Sequence, residues 1–352
     1  MSRPYDYSTL PSLWRHYEVT PRQLAFSART TAQWSAWREA LLTRLTALLG
    51  GFPNERPPLE PVVIETGATH GYTWDKVTFQ SEPGVFVPCY VLIPRGVSPP
   101  YRPVIALHGH GTGGAAHLLG RVVNEETRVE EEAHIRHSNY DYAHQLAQHG
   151  FMVFAPEQRG FGERKESWPN MVEGEPMWRK SCRAVVFNAM LFGKTAIGLR
   201  VWDVMRTVDY IRSRPELMTL SLGCLGLSAG GTTTLFASAL EPRISAAVVS
   251  GYLNTFRDSI MPINHCYCNY IPGILQYAEM SDIAALIAPR PLLIESGTED
   301  EFFPIAGARA AFAELRRVYD QLDISERVDH DIFEGWHRFS GRKAFEWLDR
   351  WL

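Results

Sequence analysis

A chain of 352 residues with 45% hydrophobic content can bury a large core, and an α/β protein of this size commonly forms one elaborated domain. Its net charge of −4, without a long basic run, argues against nucleic acid as a partner and for a small neutral or weakly charged ligand. No run approaches the roughly 18 apolar residues of a membrane span, and the first residues, MSRPYDYSTLPSLWRHYEV, lack the basic and apolar segments of a signal peptide; the expectation is a cytoplasmic protein with no membrane partner.

The first element expected is a helix within residues 21–50, where Trp34, Trp37, Leu41, Leu45 and Leu48 recur at three- and four-residue steps before Gly50 and Gly51. Residues 1–60 therefore read as a helical extension with a Pro-rich linker, GFPNERPPLEP, at its end, and residues 61–352 as the main domain. YTWDKVTFQSE and VFVPCYVLIP read as two strands joined at Pro83-Gly84, suited to the antiparallel edge of a sheet. Five short apolar runs follow, PVIALHG, FMVFAPE, LGCLGLS, ISAAVVSG and PLLIESG, separated by stretches long enough for crossover helices. Runs without alternation fit strands buried on both faces of a parallel sheet, so the fold class is α/β with helices on both faces.

In such a sheet the ligand crevice lies beyond the carboxyl ends of the strands. The segments found there are HGHG, EQRGFGE, SAGG, GYLN and GTEDE. In GCLGLSAGG, Ser228 stands between Gly226 and Gly230, and small neighbours are what a sharp strand-to-helix turn requires if it is to lift a hydroxyl into the crevice. Taken alone, G-x-S-x-G arises by chance in on the order of one chain in ten of this length. Its context carries more weight. A serine hydroxyl needs a base to remove its proton, and the base needs a carboxylate to set its tautomer. Downstream, Asp300 follows the run PLLIESG and His337 follows IFEG near the C-terminal end. Glu299 and Glu301 flank the acid, but the Gly297-x-x-Asp300 spacing favours Asp300 and leaves the glutamates to solvent. The backbone amides of Ala229 and His110 are expected to form an oxyanion hole.

With these residues in view, the chain resembles a serine esterase of the α/β-hydrolase superfamily, in the branch of dienelactone-hydrolase-like and acetyl-xylan-esterase-like proteins. The resemblance rests on HGHG at 108–111, APEQRGFGER at 155–164, GLSAGG at 226–231, APRPLLIESGTEDEFFP at 288–304 and GWHRF at 335–339. Glu157, where many relatives have Asp, and Trp336, where Gly often precedes the histidine, are departures from that pattern. The resemblance implies an α/β-hydrolase fold with an antiparallel N-terminal edge. It also implies hydrolysis of a small or short-acyl ester, with acetylated carbohydrate among the substrates, and no metal or organic cofactor. A dienelactone-type lactonase and a small peptidase are the nearest alternatives; a ligand-binding homologue without catalysis is the alternative of another class. Homo-oligomers are compatible with the sequence.

The remaining residues receive structural readings. Arg159, Glu163 and Asp203 are expected to brace the loops beside the crevice. The His108-x-His110 pair lacks a companion at ligand spacing, so no metal is expected there. Cys266 and Cys268 are too close for the usual C-x-x-C motif, and all five cysteines read as packed, reduced thiols. Tyr267, Tyr270 and Ile271 are expected to line an acyl or leaving-group pocket, with Trp336 narrowing it.

Overall fold

The structure is a computed structural model that describes residues 7–111, 113–166, 177–218 and 221–352. Two helices, α1 (Leu10–Val19) and α2 (Thr31–Leu48), precede a nine-stranded sheet. The strands are β1 (Val62–Thr69), β2 (Tyr72–Glu82), β3 (Val85–Pro94), β4 (Pro103–Leu107), β5 (Met152–Pro156), β6 (Gly223–Leu227), β7 (Ala246–Ser250), β8 (Leu292–Gly297) and β9 (Val328–Phe333). Their spatial order is β1-β2-β3-β5-β4-β6-β7-β8-β9; β1, β2 and β3 run antiparallel to their neighbours, and β4 to β9 are parallel. This is the mostly parallel sheet with an antiparallel N-terminal edge that the apolar runs predict.

The expected hairpin forms over the quoted segments, and Gly84, with φ of 76°, takes the turn position that a side chain would disfavour. One strand was not foreseen. VVIETGAT forms the edge strand β1, and because nearly all its residues are exposed it shows no hydrophobic alternation.

Every residue of β4, β5, β6, β7 and β8 is buried, which is why these strands read as unbroken apolar runs. Alternate side chains enter two cores. Ile105 and Leu107 join the core under α2, α7 (Ala196–Arg212), α8 (Ala229–Leu240), α9 (Met280–Ala285) and α10 (Ile305–Gln321). Val104 and Ala106 face the other core, beneath α3 (Gly114–His117), α5 (Tyr142–Gln148) and α11 (Ala344–Trp351). Two more helices, α4 (Arg128–His137) and α6 (Met177–Leu191), lie in the connections after β4 and β5.

The predicted stripe on α2 is the face that packs. Trp37, Leu41 and Leu45 are buried in the first core, with Trp34 and Leu48 partly buried beside them. The Thr30 hydroxyl caps the helix by accepting from Gln33 N–H at 3.2 Å, and Gly50 and Gly51 end it at positive φ. Burying Leu41 or Leu45 contributes about 2 kcal/mol each, so α2 is bound to the sheet domain by its own apolar face.

Candidate functional site

Ser228 occupies the turn between β6 and α8 with φ of 60° and ψ of −119°, a conformation rarely adopted by a residue with a side chain. Close packing holds it there. A Cβ on Gly230 would lie 1.8 Å from the Leu107 carbonyl oxygen, and one on Gly226 would lie 2.5 Å from the Gly230 carbonyl. The Ser228 amide donates to Ser250 O at 3.0 Å, and its carbonyl accepts from Thr232 N–H at 2.8 Å. Ser228 opens onto a cavity of about 220 Å³ whose wall includes His337, His110, Ala229, Asn269 and Phe303.

Asp300 follows β8 and His337 follows β9, two parallel strands in register, so their loops meet above the sheet. The Asp300 Oδ2 to His337 Nδ1 distance is 2.7 Å, and Oδ1 accepts from the Phe302 and Phe303 amides at 2.9 Å each. Asp300 is 5% exposed, whereas Glu299 and Glu301 are exposed on either side. Burial opposes charge on Asp300, but His337 and the two amides outweigh it, and the carboxyl lies below its ordinary range. Phe302 and Phe303 flank the imidazole at ring distances of 5.2 and 5.8 Å. The His337 ring also lies close over Gly251, where a Cβ would come within 3.0 Å of Cε1. An imidazole oriented by a buried carboxylate, on the wall of the cavity that a half-buried serine also lines, is an arrangement able to transfer a proton from that hydroxyl.

The HGHG loop is held from three sides. Gly109 N–H donates to the Tyr140 hydroxyl at 2.6 Å. The His108 ring meets Glu157 at 2.8 Å, and the Gln158 side-chain amide donates to the His108 carbonyl. Thr233 of α8 donates to Gln158 Oε1 at 2.6 Å. Glu157 also accepts from Ala115 N–H, and a Cβ on either Gly114 or Gly162 would collide with its carboxylate. These contacts carry the position of the loop to the start of α8. Further out, Asp203 accepts from Arg159 at 2.8 Å and Arg164 at 2.7 Å, and Glu163 pairs with Lys76 at 2.7 Å. Burial raises the Asp203 carboxyl, but the two guanidiniums bring it below its usual range. The bracing reading of Arg159, Glu163 and Asp203 agrees with these contacts.

The four expected pocket residues are not brought to the cavity wall. Ile271 is buried in the main core, and Tyr270 is 48% exposed with its hydroxyl donating to Ile260 O at 3.1 Å. Tyr267 packs on Phe187 at a ring distance of 5.4 Å, and Trp336 is 41% exposed and stacks on His137 at 4.1 Å. The reason is the course of the chain after β7. The segment folds back so that His265, Cys266 and Asn269 face inward instead. Burial brings the His265 imidazole down to about 4, and its Nε2 lies 3.0 Å from Phe302 O. Neither His265 nor Asn269 carries a sequence signal, because their neighbours along the chain are not their neighbours in space. His110 and His134 are shared with a larger groove of about 950 Å³, which also includes charged side chains of both signs, among them Lys76, Arg121, Lys165, Glu130 and Glu163.

Comparison with known proteins finds related chains. A sequence profile described as the Abhydrolase family matches residues 15–327. YtaP of Bacillus subtilis (strain 168), named as a candidate hydrolase, is 26% identical over 281 residues, covering 78% of this chain and 86% of its own length. A structure from Bacteroides fragilis NCTC 9343, described as a candidate acetyl xylan esterase, superposes with a TM-score of 0.76 at 16% identity, covering 95% of this chain and 84% of that one. A glucuronoyl esterase from Solibacter usitatus superposes with a TM-score of 0.67 at 16% identity over 94% of this chain and 96% of its own. At such identities these two structures speak for the fold.

Proposed function

Because the chain belongs to the Abhydrolase family, we propose that it is a carboxylic-ester hydrolase using Ser228, His337 and Asp300 as a catalytic triad. The observation that carries this reading is the 2.7 Å bond from His337 to buried Asp300, beside a cavity onto which Ser228 opens from a turn at positive φ. In this reading Asp300 keeps the proton on Nδ1 and leaves Nε2 free to accept the Ser228 proton as Oγ attacks the ester carbonyl. The developing oxyanion is met by the Ala229 amide, at the N-terminal end of α8 where helical N–H groups lack partners within the helix, and by the His110 amide. His337 then protonates the departing alkoxide, and water releases the acyl group by the reverse sequence. The route needs no cofactor chemistry.

The size of the space above Ser228 supports a short acyl group, and the charged side chains lining the adjoining groove support a hydroxyl-rich alcohol portion. The two superposed structures, one described as a candidate acetyl xylan esterase and the other as a glucuronoyl esterase, agree with an ester borne on carbohydrate. Hydrolysis of nitrophenyl acetate and of acetylated sugars by the purified chain tests the reading. Ser228→Ala is expected to lower kcat by at least about 10³ and to abolish labelling by a fluorophosphonate, and Asp300→Asn to cost about 10⁴ with Glu299→Gln nearly silent. Turnover by Ser228→Ala within tenfold of the parent would refute it.

A further inference from the structure

The cavity wall that includes His337 also carries His110 and Cys266, part of a group of side chains for which the ester chemistry has no use. His110 Nε2, Cys266 Sγ and Cys268 Sγ all lie within 4.8 Å of one another. The Cys268 to His110 separation is 3.4 Å, and Cys266 Sγ lies 3.2 Å from Cys182 Sγ. We propose that Cys182, Cys266, Cys268 and His110 form a structural site for one zinc ion.

Geometry is the first support. Tetrahedral zinc, with bonds of about 2.3 Å to sulfur and about 2.0 Å to nitrogen, places its ligand atoms roughly 3.5–3.8 Å apart. The Cys268–His110 and Cys266–Cys182 separations are a few tenths of an ångström below that, and His110, Cys266 and Cys268 lie mutually within 4.8 Å; Cys182, outside that group but against Cys266, would turn in as the fourth ligand. Ligand type agrees as well, since three thiolates and an imidazole favour zinc over the harder oxygen-seeking cations.

Charge is the second support. Zinc with three thiolates and a neutral imidazole carries a net charge of −1, which is costly to bury unless a cation stands beside it. Arg200 is 2% exposed and lies against the cluster, with one guanidinium nitrogen 3.5 Å from Cys182 Sγ. Among the described residues, its other contacts are the Arg159 carbonyl and the face of Phe161, and none is a carboxylate. A filled site supplies the negative charge that this guanidinium otherwise lacks.

The surroundings complete the argument. Phe161, Val186, Ala196 and Ala229 pack around the sulfurs and keep water from them, while His110 and Cys266 reach the cavity and leave a path for the ion. With four protein ligands the site is closed, which is the pattern of structural rather than catalytic zinc. It would tie α6, the loop after β4 and the segment after β7 together beside Ser228. All five cysteines are free and buried, as the sequence leads one to expect, and the proposal goes beyond that reading for Cys182, Cys266 and Cys268. His110 lies 158 residues from Cys268 and Cys182 lies 84 from Cys266, so no ligand-spacing motif exists to be read.

The test uses the full chain purified without chelator. Mass-spectrometric metal analysis is expected to find about one zinc per chain in the parent and in the control Cys89→Ser, and less than about a tenth of that in Cys266→Ser/Cys268→Ser. If the double variant does not fold, the parent alone decides. After zinc removal, titration with Co²⁺ is expected to produce thiolate-to-cobalt charge transfer and tetrahedral d–d bands that saturate at one equivalent and vanish on adding Zn²⁺. Absence of both stoichiometric zinc and cobalt bands overturns the proposal; a count of five free thiols in the denatured protein then identifies a plain thiol cluster, and a count of three a disulfide. Zinc retained in the folded double variant overturns it too. None of these readouts depends on ester hydrolysis.

Discussion

Glu295 shows how one buried carboxylate can couple the site to pH. It lies on β8 opposite Asp331 of β9, is fully buried, and accepts from the Ser340 and Gly341 amides just beyond His337. Burial, with Asp331 adding to it against the Ser340 and Gly341 amides, pushes its carboxyl up to about 7. A raised value means the folded chain holds this proton more tightly than the unfolded chain. The associated stability is fully present below the unfolded value of about 4.3 and is lost as pH rises through 7, an effect on the order of 3 kcal/mol. Glu295→Gln removes that slope. The melting temperature of the variant, measured relative to the parent, is therefore expected to rise between pH 5 and pH 8; parallel curves would show that Glu295 stays ionised throughout.

At the level of elements, the crossing of β4, β6 and α8 sets the backbone of Ser228. The helix can start close to the strands because Gly226 and Gly230 present no side chains to each other or to Leu107. Gly230→Ala would put a methyl group against a carbonyl of a central strand, where neither backbone can move independently. Overpacking commonly costs 1–3 kcal/mol, and a clash with fixed backbone belongs at or above the top of that range. The urea midpoint of Gly230→Ala is expected to fall accordingly, with ester turnover lost even in the fraction that folds. An unchanged midpoint would mean that α8 can shift outward without penalty. Cys182 illustrates the same dependence on elements, because it meets Cys266 only through the packing of α6 against the segment after β7.

Across the whole molecule, the N-terminal helices are continuous with the sheet domain. Trp37, Leu41, Leu45 and Leu49 share one core with strands β2 to β4 and helices α7 and α8. Their burial contributes on the order of 8 kcal/mol, comparable with the entire stability of an ordinary domain. Removing residues 1–60 is therefore expected to leave a chain without a cooperative thermal transition, whereas an independent appendage would leave the transition intact. α1 is a lesser contributor: none of its residues is buried, and it meets the domain through contacts such as the Tyr17 hydroxyl on Glu279 at 2.9 Å.

Short-range physics made much of this legible from the sequence alone. A strand buried on both faces needs an unbroken apolar run, a tight turn needs glycine at set offsets, and an amphipathic helix needs its 3.6-residue period; these located β2 to β8, α2 and the turn at Ser228. The Gly297-x-x-Asp300 spacing likewise distinguished Asp300 from its exposed neighbours, and the structure places Asp300 against His337. Edge strand β1 escaped because an exposed strand leaves no hydrophobic pattern. The wall of the cavity escaped for a different reason. Tyr267, Tyr270, Ile271 and Trp336 lie beside crevice residues in the chain, but the fold after β7 and β9 turns them away and directs His265, Cys266 and Asn269 inward. Which side chains from distant segments share a space depends on strand order and loop course. Those follow from the packing of the whole core rather than from any local run, and so the tertiary structure alone decided what surrounds Ser228 and what gathers around His110.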